Sequence, residues 1–180
     1  MKGVLSSLSE QRVRTSFARQ GFMKKLGVEL RDLGFGTCAL AVGFDETMTQ
    51  QHGFFHAGVT ATLADNAAGY AAYSVMPEDS TVLTTEFKLN LLAPARGDEL
   101  IARAEVIKPG RTLVVVRADV YGCKDGVETH VATMLATAMC LAGKADSSEI
   151  NDPSRRPPHP EARVKRASKG GPPQDEEAAS

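Results

Sequence analysis

Between residues 50 and 69 the chain reads QQHGFFHAGVTATLADNAAG. Asp65 stands there among alanines, threonines and glycines, with no basic residue within four positions. An ionised carboxylate in an apolar stretch is costly unless it meets water, a partner from elsewhere or a substrate. The residues three and four positions away, Ala61, Thr62, Ala68 and Gly69, share its helical face, and none can neutralise it. All are small enough for another molecule to approach the backbone. Such a carboxylate is either functional or sits at a wet helix edge, the plain alternative.

The start of the same segment carries a second feature. Gly53, Phe54, Phe55 and His56 precede Ala57, and no Ser, Thr, Asp or Asn stands at the capping position. The amides of Ala57 and Gly58 are therefore expected to lack a side-chain acceptor. Free amides at the positive end of a helix suit an oxygen that gains negative charge during acyl transfer, with water or a loop carbonyl as the other possible acceptor. Ala57 and Asp65 are eight residues apart, about 12 Å along a helix axis. One small carbonyl cannot touch both. If both act on one substrate, they come from different copies of the helix, and the active-site reading requires a homo-oligomer.

The elements that must position these groups follow from pattern. Residues 57–75 are the strongest helix, rich in alanine and ended by Pro77. A looser amphipathic helix over 7–21 carries Leu8, Val13 and Phe17, with Phe22 just beyond. Strands are expected at 28–33 and 37–44, joined at LGFG, then at 82–92, 99–107, 112–121 and 128–141. APARGD, KPGR and GCKDG separate the last four and carry turn chemistry. Helix, two strands, helix and four strands make an α+β fold with an antiparallel sheet. In the last strand Ala132, Met134, Ala136 and Ala138 alternate with Val131, Thr133, Leu135 and Thr137, so both faces are largely apolar. A helix on one face and a partner chain on the other would cover them.

Bulk properties set the frame. A chain of 180 residues with 42% hydrophobic residues can bury one core, and a net charge of -1 offers no electrostatic case for nucleic acid or an acidic membrane surface. No apolar run approaches the ~20 residues that span a bilayer. Cys38, Cys123 and Cys140 form no CxxC pattern, so neither zinc nor a disulfide framework is indicated. The first residues lack the apolar centre of a secretory leader, and the cytoplasm is the expected compartment. Residues 144–180 hold six of the nine prolines and no Phe, Trp or Tyr, which predicts a disordered tail after a folded part over 1–143, whose first 24 residues form an N-terminal helical extension.

Four segments, HAGVTATLADNAAGYAA, LTTEFKLNLLAPARG, KPGRTLVVVRADVYGCKDG and ATMLATAMCL, occur in an order that resembles the hotdog-fold acyl-CoA thioesterases of the phenylacetic-acid-degradation (PaaI-like) family. The likeness runs from about residue 20 to 142. It implies a curved antiparallel sheet of about five to six strands wrapped around one long central helix. It assigns Asp65 as the carboxylate that activates the attacking water or attacks directly. The amide of Ala57 would polarise the thioester carbonyl, at a position where the family has the first of two glycines. Gln50 would assist it where the family has asparagine, and the Thr84 hydroxyl would help place water. Gln50 and Ala57 would come from one subunit, Asp65 and Thr84 from the other. His56 either fixes the loop before the helix or serves as a general base. Gly58 would offer substrate the next amide. Lys108 and Arg111 could meet the phosphates of coenzyme A, ahead of Arg96 and Arg103, or be ordinary turn residues. Phe54, Phe55, Tyr70 and Tyr73 line an acyl pocket or are simply core.

The reaction so implied is hydrolysis of an acyl-CoA to a carboxylate and free coenzyme A, without a metal or redox cofactor, in a homodimer or a dimer of dimers. Two other readings fit the same residues. A hotdog hydratase or dehydratase would use His52 or His56 with Asp65 as an acid–base pair. An acyl-CoA-binding module would keep the fold without turnover, and the departures at Gln50 and Ala57 favour it. No helix-turn-helix or basic DNA-reading segment accompanies either.

Overall fold

The computed structural model describes residues 3–144 and 146. Apart from Lys144 and Asp146, the tail expected to be disordered lies outside the described residues. Among those described, the order is α1 (Ser7–Arg19), α2 (Gly21–Leu26), β1 (Glu29–Gly34), β2 (Thr37–Gly43), a 3-10 turn (Glu46–Met48), α3 (Ala57–Tyr73), β3 (Ser80–Leu91), β4 (Glu99–Lys108), β5 (Leu113–Lys124) and β6 (Val127–Ala142). The single N-terminal helix expected over 7–21 is two helices. Gln20 takes an extended conformation, φ -72 and ψ 104, and serves as the end of α1 and the start of α2.

The six strands form one antiparallel sheet in the order β1-β2-β4-β5-β6-β3. Its long strands alternate as a half-covered sheet should. Leu100, Ala102, Ala104 and Val106 of β4, Val114, Val116, Ala118 and Val120 of β5, and Ala132, Met134, Ala136 and Ala138 of β6 are all buried. They meet the alanines of α3, of which Ala64, Ala67, Ala68, Ala71 and Ala72 are buried too. Small residues on both sides let the helix lie close to the sheet, and dispersion contacts replace what bulk would otherwise supply. The β5–β6 hairpin closes on Asp125 and Gly126, both with positive φ (52 and 76), the two-residue turn that matches strand twist. It lies within the GCKDG turn signal, with β5 running farther into that segment than its sequence pattern suggested.

The C-terminal end of α3 is closed by the N-terminal extension. The Arg12 guanidinium donates to the carbonyls of Tyr73 (2.9 Å), Met76 (3.0 Å) and Pro77, and lies 4.1 Å over the Tyr73 ring. A cation there answers both the orphan carbonyls and the negative end of the helix dipole.

Candidate active site

Asp65 lies in the middle of α3, half-buried, and its Oδ1 accepts a hydrogen bond of 2.8 Å from the Thr84 hydroxyl of β3. A β-bulge follows directly after Thr84. Pairing of β3 with β6 shifts between Thr84 and Glu86, leaving Thr85 as the extra residue, with its hydroxyl on the Thr137 carbonyl at 2.9 Å. Val82 and Leu89, an odd number of positions apart, consequently both pack against the core on the helix side. Thr84 shares that side with Val82.

No cation pairs with Asp65 among the described residues. Burial pushes its carboxyl pKa above the ordinary value, and the Thr84 hydrogen bond pulls in the opposite direction without cancelling the rise. A carboxylate held this way is a better base than one free in water. It opens on a cavity of about 380 Å³, which also reaches Gly69 and Tyr70.

The start of α3 corrects one expectation. His56 is the N-cap, and its Nδ1 accepts from the Gly58 N–H at 2.9 Å. The Gly58 amide is therefore occupied and is not free to hold substrate oxygen. An imidazole nitrogen can do what the usual Ser, Thr, Asp and Asn caps do. The Ala57 amide, by contrast, has no acceptor among the described residues. One turn deeper, the Thr60 hydroxyl is buried and unpartnered as well.

Gln50 lies in a tight loop. Its backbone N–H donates to the Phe54 carbonyl at 2.9 Å, its carbonyl accepts from the Gly53 N–H at 2.9 Å, and its side-chain Oε1 accepts from the His52 N–H at 2.5 Å. With Oε1 so occupied, the side-chain NH2 is the end left to donate. Gln50 and Ala57 line a second cavity, of about 480 Å³, with Leu91, Leu92 and Pro94. Asp65 and Thr84 do not reach it. Within one chain the candidate residues thus fall into two groups at opposite ends of β3, as the helix rise requires.

Lys108 and Arg111 are exposed around the turn from β4 to β5, and neither lines either cavity. His52 is exposed in the loop before α3. Of the aromatics, Phe54 and Phe55 line the Ala57 cavity, Tyr70 lines the Asp65 cavity, and Tyr73 is fully buried core. Two contributions lay beyond the sequence pattern. The segment after β3 supplies a wall beside Ala57, and Ser16, Arg19 and Gln20 of the N-terminal extension line the Asp65 cavity. A polar face on α1 was the only signal for the latter.

An antiparallel sheet packed along one alanine-rich helix is the hotdog architecture, and here it carries a carboxylate held by a strand threonine. Residues 52–129 match the model of the thioesterase superfamily. A thioesterase family protein from Silicibacter pomeroyi has 51% sequence identity and a TM-score of 0.74, over 75% of this chain and 99% of that one. The PaaI protein of the Escherichia coli phenylacetic acid degradation operon shares the fold, with 22% identity and a TM-score of 0.68 over 78% of this chain and 98% of that one. The 1,4-dihydroxy-2-naphthoyl-CoA hydrolase of Listeria monocytogenes is 28% identical over 95 residues, 53% of this chain and 77% of its own length. The chain belongs to the thioesterase superfamily, with a PaaI-like hotdog fold, and is by class a hydrolase of thioesters.

Proposed function

We propose that the protein hydrolyses acyl-coenzyme A thioesters at a site built from two copies of the chain. The observation that carries this reading is the Thr84–Asp65 pair, a desolvated base without a cation, set apart from the open Ala57 amide on the same helix. The named substrate of the Listeria relative, a naphthoyl-CoA, supports coenzyme A as the thiol.

In this mechanism the thioester oxygen lies against the Ala57 N–H and the Gln50 side-chain NH2 of one subunit. Asp65 of the other subunit, held by Thr84, takes a proton from water as the hydroxide adds to the carbonyl carbon. The tetrahedral intermediate collapses, the C–S bond breaks, and the coenzyme A sulfur leaves with the proton that Asp65 received. The carboxylic acid so formed loses its proton to solvent, and carboxylate and free thiol are the products. Base, oxyanion donors and water account for every step, so the reaction calls for no metal or redox cofactor.

The edge of the sheet supports the pairing of copies. β3 is an outer strand, and Leu83, Phe87 and Leu91 along it are large, apolar and exposed. An unpaired strand of this length is a template for a second chain. Antiparallel pairing with its own copy would set the Val82–Thr84 end of one strand beside the Leu89–Leu91 end of the other. The Asp65 cavity of one subunit would then adjoin the Ala57 cavity of its partner. A homodimer, and by further association a dimer of dimers, follows from the same exposed surface.

Thiol release from a panel of acyl-CoAs tests the activity, and subunit mixing tests the shared site. Asp65→Asn and Gln50→Ala proteins, each poorly active alone, should regain turnover when unfolded and refolded together, because mixed dimers carry one intact site. Failure of every mixture to exceed its parents would place the site within one chain.

A further inference from the structure

Beside Asp65 the cavity runs along α3 toward its C-terminal end and is closed by the junction between α1 and α2. The closing residues are polar. The Gln20 side-chain N–H donates to the Tyr70 hydroxyl oxygen at 2.6 Å, and Ser16 Oγ stands 3.4 Å from that oxygen. Tyr70 itself is 3% exposed. Phe17 packs edge-on against the Tyr70 ring, with centroids 5.8 Å apart, and fixes its direction. Gly69, on the wall between Asp65 and Tyr70, leaves the passage unobstructed by a side chain.

This arrangement sets a buried hydroxyl among polar neighbours. The Tyr70 oxygen accepts from Gln20, Ser16 Oγ at 3.4 Å can take its proton in a long hydrogen bond, and Arg19 and Asp146 line the same cavity. Burial holds the phenol in its neutral, donating form. A hydrocarbon end pushed against these groups would desolvate them and return nothing, whereas an oxygen-bearing tip could exchange hydrogen bonds with them. Asp65 and Tyr70 are five positions apart on α3, about 7.5 Å of rise. That matches a short to medium acyl chain measured from its carbonyl.

We propose that the α1–α2 junction, through Gln20 and Tyr70, is the specificity wall of the acyl pocket and selects acyl groups with a hydrogen-bonding tip over plain hydrocarbons of equal length. The inference rests on the thioesterase reading and adds to it the chemical class of the acyl end. It also gives the N-terminal extension a task. The extension precedes the segment that matches the superfamily, and its break at Gln20 brings a side-chain amide over the pocket.

The test uses matched pairs: an ω-hydroxyalkanoyl-CoA and the alkanoyl-CoA in which methyl replaces the hydroxyl, over a short to medium series. The full-length protein should favour the hydroxylated member by about tenfold or more in kcat/KM at the matching length, since a site built to hydrogen-bond rejects analogues lacking the group. Tyr70→Phe should bring that ratio close to one, and Gln20→Leu should reduce it. The ratio is internal to each protein, so partial loss of fold lowers both members and leaves it unchanged. Gln20 is only half-buried, and its variant keeps the test open if Tyr70→Phe proves unstable. A wild-type ratio of one or less at every length overturns the proposal, as does a ratio that survives both substitutions. Absence of thiol release from every acyl-CoA would instead overturn the thioesterase reading, and this inference with it.

Discussion

The two ends of α3 are finished in opposite ways. At the C-terminal end Arg12 supplies donors to the carbonyls of Tyr73, Met76 and Pro77, and its Nε lacks a partner among the described residues. At the N-terminal end His56 satisfies Gly58, while the Ala57 amide and the Thr60 hydroxyl go without. Buried polar groups are nearly always paired, so the Thr60 hydroxyl is an exception, whereas the exposed Ala57 amide is open to solvent or to a ligand. One end is fastened, and the other is the end to which the proposed mechanism assigns the thioester oxygen. Asp65 between them belongs to neither, and its one side-chain partner among the described residues is the strand hydroxyl of Thr84.

The largest expected effect is at Asp65. Replacing it with Asn keeps shape and removes the base, and turnover should fall by about 10²–10⁴, measured as thiol release. Stability should move the other way. Because burial raises the Asp65 pKa in the folded state, the neutral carboxyl favours the fold in full below the ordinary carboxylate range. That contribution is lost as pH rises through the raised value. The Asn variant has nothing to lose, so at neutral pH it should melt above wild type, and the gap should close in acid. A variant that is inactive and less stable at neutral pH would show that Asp65 is a structural group.

Thr84 comes next. A hydrogen bond to a charged group contributes about 1.5–3 kcal/mol, so Thr84→Val should lower turnover by roughly tenfold to a hundredfold. The bond lowers the Asp65 pKa, and without it burial acts unopposed. The acid limb of the kcat/KM profile should therefore shift to higher pH in Thr84→Val and return in Thr84→Ser. A drop in rate with an unmoved profile would mean that Thr84 places water rather than tuning its carboxylate.

The sequence pattern carried most of the scaffold, because alternation, alanine content and turn dipeptides act locally. It also isolated Asp65, since the absence of a partner in its own helix is visible in the residues alone. What it could not carry depends on distant pairs. The bulge at Thr85 follows from register with β6, and nothing in LTTEF marks it. The Arg12 clamp joins residues more than sixty positions apart. The polar wall at Tyr70 exists only because α1 breaks at Gln20 and turns its side chain inward. The cap was missed for another reason: the preference for Ser, Thr, Asp and Asn describes frequency, and a histidine outside that set meets the same physical requirement.

His56 gives the smallest effect and the sharpest check on the division between fastening and chemistry. Its Nδ1 holds the Gly58 amide, so the nitrogen that a base would use is committed to the helix. Losing an N-cap costs about 1 kcal/mol, and His56→Ala should lower the melting temperature by a few degrees while turnover per folded molecule stays within about tenfold. His56→Asn should recover most of the stability, because an asparagine oxygen can accept from the same amide. The two quantities must move together if His56 only caps the helix, through a slight displacement of Ala57. A fall in turnover as deep as that of Asp65→Asn, unrepaired by Asn, would make the imidazole part of the reaction, and the N-terminal end of α3 would then hold both an oxyanion donor and a base.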